Sequence, residues 1–432
     1  MSAGSIEHAG PVENTRPTES TGPTQPESVI IVGASLAGVW AARGLRAQGF
    51  TGTLTIVGEE LHRPYDRPPL SKDFLRSLDA LHEPLEAEGE DLDASWLLGV
   101  RATSLRPRET GGADITLDDG REIGADAVIV ATGARARRLP GVQLPGVHLL
   151  RTADDALALR NDLHTALRTG AEVVIVGGGF IGSEVAATAR ELGCSVTMVV
   201  MEDAPLRLPL GPYADVIAAL HVAQGVTIRA NTVVRTIEPT GDDTLEVVLS
   251  DGDRISAGTV VVGIGAIPCV DWLHDSGLDL GERGTGAVRC DAYGATDLPG
   301  VYAVGDCAAW FEPALGHHHV TEHWTSAKER GGVVAARLLG ADRIPTQRPP
   351  FVWSDIYGKR LQLAGHRELA DHPDDPAVTI EAGSLVEGSF AAVYRCGGEA
   401  VAVLAFDQSR YFAGIRRRLK TPVPATPERL HS

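Results

Sequence analysis

Two glycine-rich turns constrain this chain more than any other feature in it. Val29-Ile30-Ile31-Val32 leads into Gly33-Ala34-Ser35-Leu36-Ala37-Gly38, and Val173-Val174-Ile175-Val176 leads into Gly177-Gly178-Gly179-Phe180-Ile181-Gly182. Each apolar run reads as a buried strand, and each turn opens a helical pattern. A strand, a tight glycine turn and a helix N-terminus together offer backbone N–H groups and a positive dipole end to a pyrophosphate. One such turn is weak. Two in the same context predict two dinucleotides on one polypeptide, and so hydride exchange between them.

Composition removes several other classes. At 432 residues the chain is long enough for about three domains. Its net charge of −18 opposes wholesale binding of nucleic acid, so an acidic partner would need a local basic patch. No apolar run approaches the roughly 20 residues of a membrane-spanning helix. The five cysteines, Cys194, Cys269, Cys290, Cys307 and Cys396, include no C-x-x-C pair and no zinc spacing. That pattern predicts a reducing cytoplasm and argues against dithiol chemistry. Residues 1–27, rich in Pro, Thr, Glu, Ser and Gly, read as a disordered N-terminal tail.

The expected fold is α/β, with two Rossmann-like dinucleotide-binding domains, the first interrupted by the second, and a C-terminal α+β domain. Residues 28–145 and 270–340 form the first, 146–269 the second and 341–432 the third. Helices are expected over 37–48, 155–169 and 322–339. Ile115–Leu117, the Asp119-Gly120 turn and Ala127–Val130 read as a hairpin. Beyond Pro349-Pro350, strands are expected at 360–364, 377–386, 390–396 and 400–406.

In the first turn Ser35 replaces the middle glycine of the fingerprint. Glu59, at a strand end about 20 residues past Gly38, suits a ribose hydroxyl pair. The second turn keeps Gly177, Gly179 and Gly182, but its strand ends on Val200, with Glu202 and Asp203 just beyond. Arg207 is the nearest arginine. With no obvious clamp for a 2′-phosphate, NADH is favoured over NADPH. Ala131-Thr132-Gly133 lets the backbone reach a cofactor, and Gly305-Asp306 ends a strand where a carboxylate can accept a cofactor hydroxyl. As bland alternatives, both are ordinary turns.

These motifs, with Pro64-Tyr65-Asp66-Arg67-Pro68-Pro69-Leu70-Ser71-Lys72, Leu150-Arg151-Thr152, Glu322-His323-Trp324 and Trp353-Ser354-Asp355, resemble those of the ferredoxin reductases of bacterial oxygenase systems. That is the putidaredoxin reductase and biphenyl dioxygenase reductase type, within the glutathione-reductase-like flavoproteins. The resemblance spans about residues 28–410. It implies FAD on the first turn, held by Gly33, Ser35, Leu36, Ala37, Gly38, Glu59, Arg67, Lys72, Ala102, Ala131, Thr132, Gly133, Arg151, Gly305, Asp306, Glu322, His323 and Trp324. It implies NAD(P)H on the second, at Gly177, Gly179, Phe180, Ile181, Gly182, Glu184, Glu202 and Gly265. It further implies that Lys72 lies beside the flavin N5 edge and pairs with Glu184, which orients the nicotinamide amide. A lysine there would stabilise negative charge arriving with a hydride.

Three departures stand out. The acid expected after the second nucleotide strand falls on Val200; an asparagine expected after the Gly-x-x-Pro turn is Cys269; and basic residues expected before Glu322 are His317-His318-His319. Adjacent side chains converge poorly on one ion, so no metal is expected and the histidines read as a solvated loop. The implied partner is a [2Fe–2S] ferredoxin, docking near Arg416, Arg417, Arg418 and Lys420 unless that run is only a solvated helix face. A flavin NADH oxidase, a rubredoxin reductase or an apoptosis-inducing-factor-like redox sensor would share both turns.

Overall fold

The computed structural model describes residues 25–85, 90–241, 244–281, 286–341, 348–372, 374–375 and 379–419. The runs before the two turns are apolar at nearly every position. Alternation would mark a sheet wet on one face; continuous apolarity marks strands covered on both. Both runs lie in the interior of five-stranded parallel sheets. The first sheet runs Val301–Ala303, Ala127–Val130, Ser28–Val32, Thr53–Gly58, Ser95–Leu98 in spatial order. The second runs Thr227–Arg229, Ser195–Val199, Glu172–Val176, Thr259–Val262, Val147–His148. Ile31, Val128, Ile129, Val173, Val174 and Ile175 are fully buried.

The helices Leu36–Ala47 and Trp324–Leu338 pack on the first sheet and on each other. Their approach is close enough that a Cβ on Gly331 would stand 2.8 Å from the Ala41 amide nitrogen. The Ala153–Thr169 helix begins earlier than expected because Thr152 and Asp155 close a capping box.

Each parallel sheet carries a three-stranded antiparallel sheet, Ala102–Pro107 with Ala113–Leu117 and Glu122–Ala125 on the first unit, and Val234–Gly241 with Thr244–Leu249 and Arg254–Ala257 on the second. The expected hairpin is therefore corrected. Past Asp119-Gly120 the chain pairs through Glu122–Ala125, whose burial alternates, and Ala127–Val130, buried on both faces, joins the parallel sheet. The chain crosses between units along Ala134–Ala136 and returns along Ala266–Pro268, and the two segments pair antiparallel.

The C-terminal sheet is antiparallel, in the order Phe351–Ile356, Lys359–Gly365, Glu399–Phe406, Ser389–Cys396, Ile380–Ser384. Its first strand was not anticipated. Phe412 and Ile415 of the Ser409–Arg416 helix cover one face. Phe390, Tyr394 and Phe406 pack against Leu206, Tyr213 and Ile217 of the second unit.

Two further expectations change. The histidine run is not a loop: His317–Val320 is a strand antiparallel to Ala308–Glu312, with His317 and His318 exposed. Of the expected tail, residues 1–24 lie outside the described residues. Two of its last three positions are fastened, Gln25 to the Leu339 carbonyl at 3.4 Å and the Glu27 amide to Asp126 at 2.9 Å. No helix among the described residues is long and apolar enough to cross a membrane.

His221 sits inside the contact between second unit and C-terminal sheet. Its Nδ1 lies 2.9 Å from the Tyr357 hydroxyl, Nε2 has no partner among the described residues, and burial pulls its pKa down to about 4. The folded protein thus resists a proton that the unfolded chain accepts near pH 6.5. This contribution is complete above that pH and is lost as pH falls towards 4, at up to about 1.4 kcal/mol per pH unit. Melting temperature should therefore decline between pH 6.5 and 4.5, and more shallowly in His221→Phe than in the wild type.

Candidate active site

Both turns need glycine at their first position. Gly33 has φ +125°, and a Cβ there would lie 2.1 Å from the Ala131 carbonyl oxygen; Gly177 has φ +105°, with the Gly263 oxygen 2.3 Å from its would-be Cβ. The helices that follow are left open at their N-termini. Ser35 and Gly179 are the N-caps, neither makes a side-chain capping bond, and neither first turn carries an acid. Around Gly179 the Cβ direction is free for 4 Å. Uncapped N–H groups at the positive end of a helix are what a pyrophosphate requires, so the residues present fit two dinucleotides.

Arg67 organises the first turn. It donates to Glu60 at 2.6 Å, to the Arg151 carbonyl at 2.5 Å and to Ser35 Oγ at 3.3 Å. Tyr65 donates to Glu60 and accepts from the Ala153 amide at 2.8 Å. Burial, with Glu60 assisting and Arg67 opposing, pushes the Tyr65 phenol well above its ordinary range. Glu60 is thus consumed, while Glu59 has a 72% exposed side chain and lies 3.9 Å from Arg101. Leu36 and Ala37 open the first glycine helix, and Ala102 is buried at the start of its strand.

Arg151 pairs with Asp306 at 2.8 Å, beyond the Val301–Ala303 strand and next to Gly305. Desolvation and then the Asp306 carboxylate push the Glu322 carboxyl up, with Arg151 opposing. His323 is the N-cap of the Trp324–Leu338 helix; its Nδ1 has no partner among the described residues, and burial lowers its pKa to about 4. Trp324 Nε1 donates to Asp66 at 2.7 Å, and its ring meets Trp353 edge-on at 5.8 Å. Cys269, where asparagine was expected, donates its amide to the Gly133 carbonyl and accepts from Thr132 Oγ1 at 2.7 Å. Gly265, at φ +99°, lies on the return crossing.

Among the contacts that join the two nucleotide units, one ion pair is largely buried. Pro68–Ser71 forms a short 3-10 turn favoured by its paired prolines, and Lys72 leaves it towards the second unit. Lys72 Nζ lies 2.6 Å from Glu184 Oε2 and 3.1 Å from the Pro68 carbonyl oxygen. Glu184, on the second glycine helix, is only 4% exposed. It also accepts from Ser71 Oγ at 2.5 Å and from Ser354 Oγ at 2.6 Å. Lys72 with Glu184 was anticipated; Ser71, Ser354 and Asp66 were not given roles, although all three lie inside motifs already singled out.

At the far end of the second turn, Val200 is fully buried and presses on Gly178, whose would-be Cβ lies 2.8 Å from it. Glu202 is half-buried, and its carboxylate makes no hydrogen bond or ion pair among the described residues. Arg207 is committed to Asp203 at 2.5 Å, to Asp215 and to the Gly211 carbonyl. Ile181 is exposed in the first helical turn, while Phe180 packs towards the C-terminal sheet. Of the basic run, Arg416 stacks over Phe351 at 4.0 Å, Arg417 and Arg418 are exposed, and Lys420 lies outside the described residues.

Comparison with known proteins agrees with this layout. Residues 27–331 match the pyridine nucleotide-disulphide oxidoreductase family, and residues 351–432 match a reductase C-terminal family. The chain is 38% identical over 408 residues to the ferredoxin reductase component of chlorobenzene dioxygenase from Cupriavidus sp. (strain PS12), covering 93% of this chain and 94% of that one. It is 34% identical to rhodocoxin reductase of Rhodococcus erythropolis, over 93% of this chain and 91% of that one. The crystal structure of the covalent putidaredoxin reductase–putidaredoxin complex superposes with a TM-score of 0.80 at 30% identity, covering 91% and 93% of the respective chains. All five cysteines here are free, so the disulphide in the family's description has no counterpart in this chain. The α/β reading and the resemblance drawn from the motifs are both borne out: the chain belongs to the pyridine nucleotide-disulphide oxidoreductase family, among its ferredoxin reductases.

Proposed function

We propose that this protein is an FAD-dependent NADH:ferredoxin reductase of the cytoplasm, serving an oxygenase through a [2Fe–2S] ferredoxin. The observation that carries the proposal is the buried Lys72–Glu184 pair, which joins the loop of the first glycine turn to the helix of the second. FAD, when bound, accepts a hydride and releases the electrons singly, which is the chemistry needed between a nicotinamide and a one-electron carrier.

The residues divide the remaining work. Uncapped N–H groups after Gly33 and Gly177 bind the two pyrophosphates, and Glu59 and Asp306 accept hydroxyls of the first dinucleotide. Lys72, fixed by three oxygen partners, holds positive charge where the hydride arrives without moving to do so. Glu184 keeps that charge in place and presents a carboxylate to the nicotinamide amide. Trp324, anchored on Asp66 at the start of its helix, would set the positive end of that helix towards the flavin. Arg417 and Arg418 are exposed and make no ion pair among the described residues, and such cations on an acidic protein suit an acidic ferredoxin. Free cysteines support a reducing compartment.

Glu202 is the available ribose acid, and Arg207 is saturated by carboxylates, so NADH is the reductant. Glu202→Ala should raise the KM for NADH about ten-fold, a loss read directly in steady-state assays. Lys72→Met should slow anaerobic flavin bleaching by NADH about a hundred-fold while retaining bound FAD. Cytochrome c reduction tests the whole reading. The rate with NADH should depend on added [2Fe–2S] ferredoxin, and a rate that stays at the oxygen-only background would overturn it. Arg417→Glu with Arg418→Glu should raise the KM for ferredoxin, most strongly at low salt, and leave flavin reduction unchanged.

A further inference from the structure

We infer that Ser354 is a positioning residue for hydride transfer, acting through Glu184; the inference rests on the function proposed above. The two oxygens of Glu184 are supported differently. Oε2 meets Lys72 Nζ at 2.6 Å and Ser71 Oγ at 2.5 Å, both from the first unit. Oε1 meets only the Ser354 hydroxyl, at 2.6 Å, among the described residues. A carboxylate held through one oxygen can swing about that point; a donor on the second oxygen fixes its plane. Ser354 therefore sets which way Glu184 faces, and with it where the Lys72 ammonium stands and which carboxylate edge is left for a nicotinamide amide.

The hydroxyl is delivered by a strand that is itself fastened. Ser354 is fully buried in Phe351–Ile356. On that strand the Phe351 carbonyl accepts from Thr325 Oγ1 at 2.6 Å, and Trp353 contacts Trp324. Ser71 is similarly braced, its carbonyl accepting from Thr188 Oγ1 at 2.8 Å. A charge-assisted bond of this geometry, shielded from water, loses its whole effect when the donor is removed, since no solvent replaces it.

The test is a double-mutant cycle on the FAD-loaded full chain, read by anaerobic stopped-flow bleaching with NADH. Ser354→Ala should lower the limiting rate about ten-fold and leave half-saturation by NADH within about two-fold. Ser354→Thr, which keeps the hydroxyl, should recover most of that loss. In a Glu184→Gln background, Ser354→Ala should cost less than about two-fold, because the group it positions is already gone. A wild-type rate in Ser354→Ala, or the same ten-fold loss with Glu184→Gln present, would overturn the inference. If Ser354→Ala does not retain FAD, Ser354→Cys serves in the same cycle with the same outcomes. A wild-type protein that NADH fails to bleach would instead remove the functional reading itself.

Discussion

A carboxylate and an ammonium taken out of water together are a liability unless every remaining lone pair and proton finds a partner. Lys72 and Glu184 meet that condition only because three separate stretches of chain converge on them. The Pro-rich loop brings Lys72 and Ser71, the second glycine helix brings Glu184, and the C-terminal sheet brings Ser354. Removing one member leaves an uncompensated buried charge, at a cost of about 3–5 kcal/mol. The pair therefore ties all three units together at one point, alongside the apolar clusters that pack them.

The helix ends show the same economy of polar groups from the opposite side. Leaving an N-terminus without a side-chain cap forgoes about 1 kcal/mol. The chain does so at the two helices behind the glycine turns and equally at Ala214–Ala223, Trp324–Leu338 and Ser409–Arg416, whereas Thr152–Asp155 closes off both donors. What sets the two glycine helices apart is the open approach to their first N–H groups, where Gly179 leaves the Cβ direction free for 4 Å.

Both turns were legible because everything they require is local: an apolar run, a glycine with nowhere to put a Cβ, and a helical period within a dozen residues. What was illegible depended on partners distant in sequence. Glu122–Ala125 and Ala127–Val130 are separated by Asp126 alone, yet one closes a hairpin and the other enters a buried sheet. The His317–Val320 strand is recognisable only from its neighbour Ala308–Glu312. Ser354 reaches Glu184 across 170 residues of sequence, and no periodicity records such a bond. Val200 could be seen to break the pattern, but only its burial against Gly178 explains why a carboxylate has no room there.

The two crossings between nucleotide units, Ala134–Ala136 outbound and Ala266–Pro268 inbound, lie side by side as an antiparallel pair. To the first sheet, everything between them is a loop whose ends already touch. The entropy of closing such a loop grows only with the logarithm of its length, so a complete second unit disturbs the host fold little more than a short excursion would. The inserted unit also repeats the host's plan, a five-stranded parallel sheet with a three-stranded antiparallel appendage. Gene duplication followed by insertion at a zipped hinge would produce this architecture without passing through a chain that could not fold.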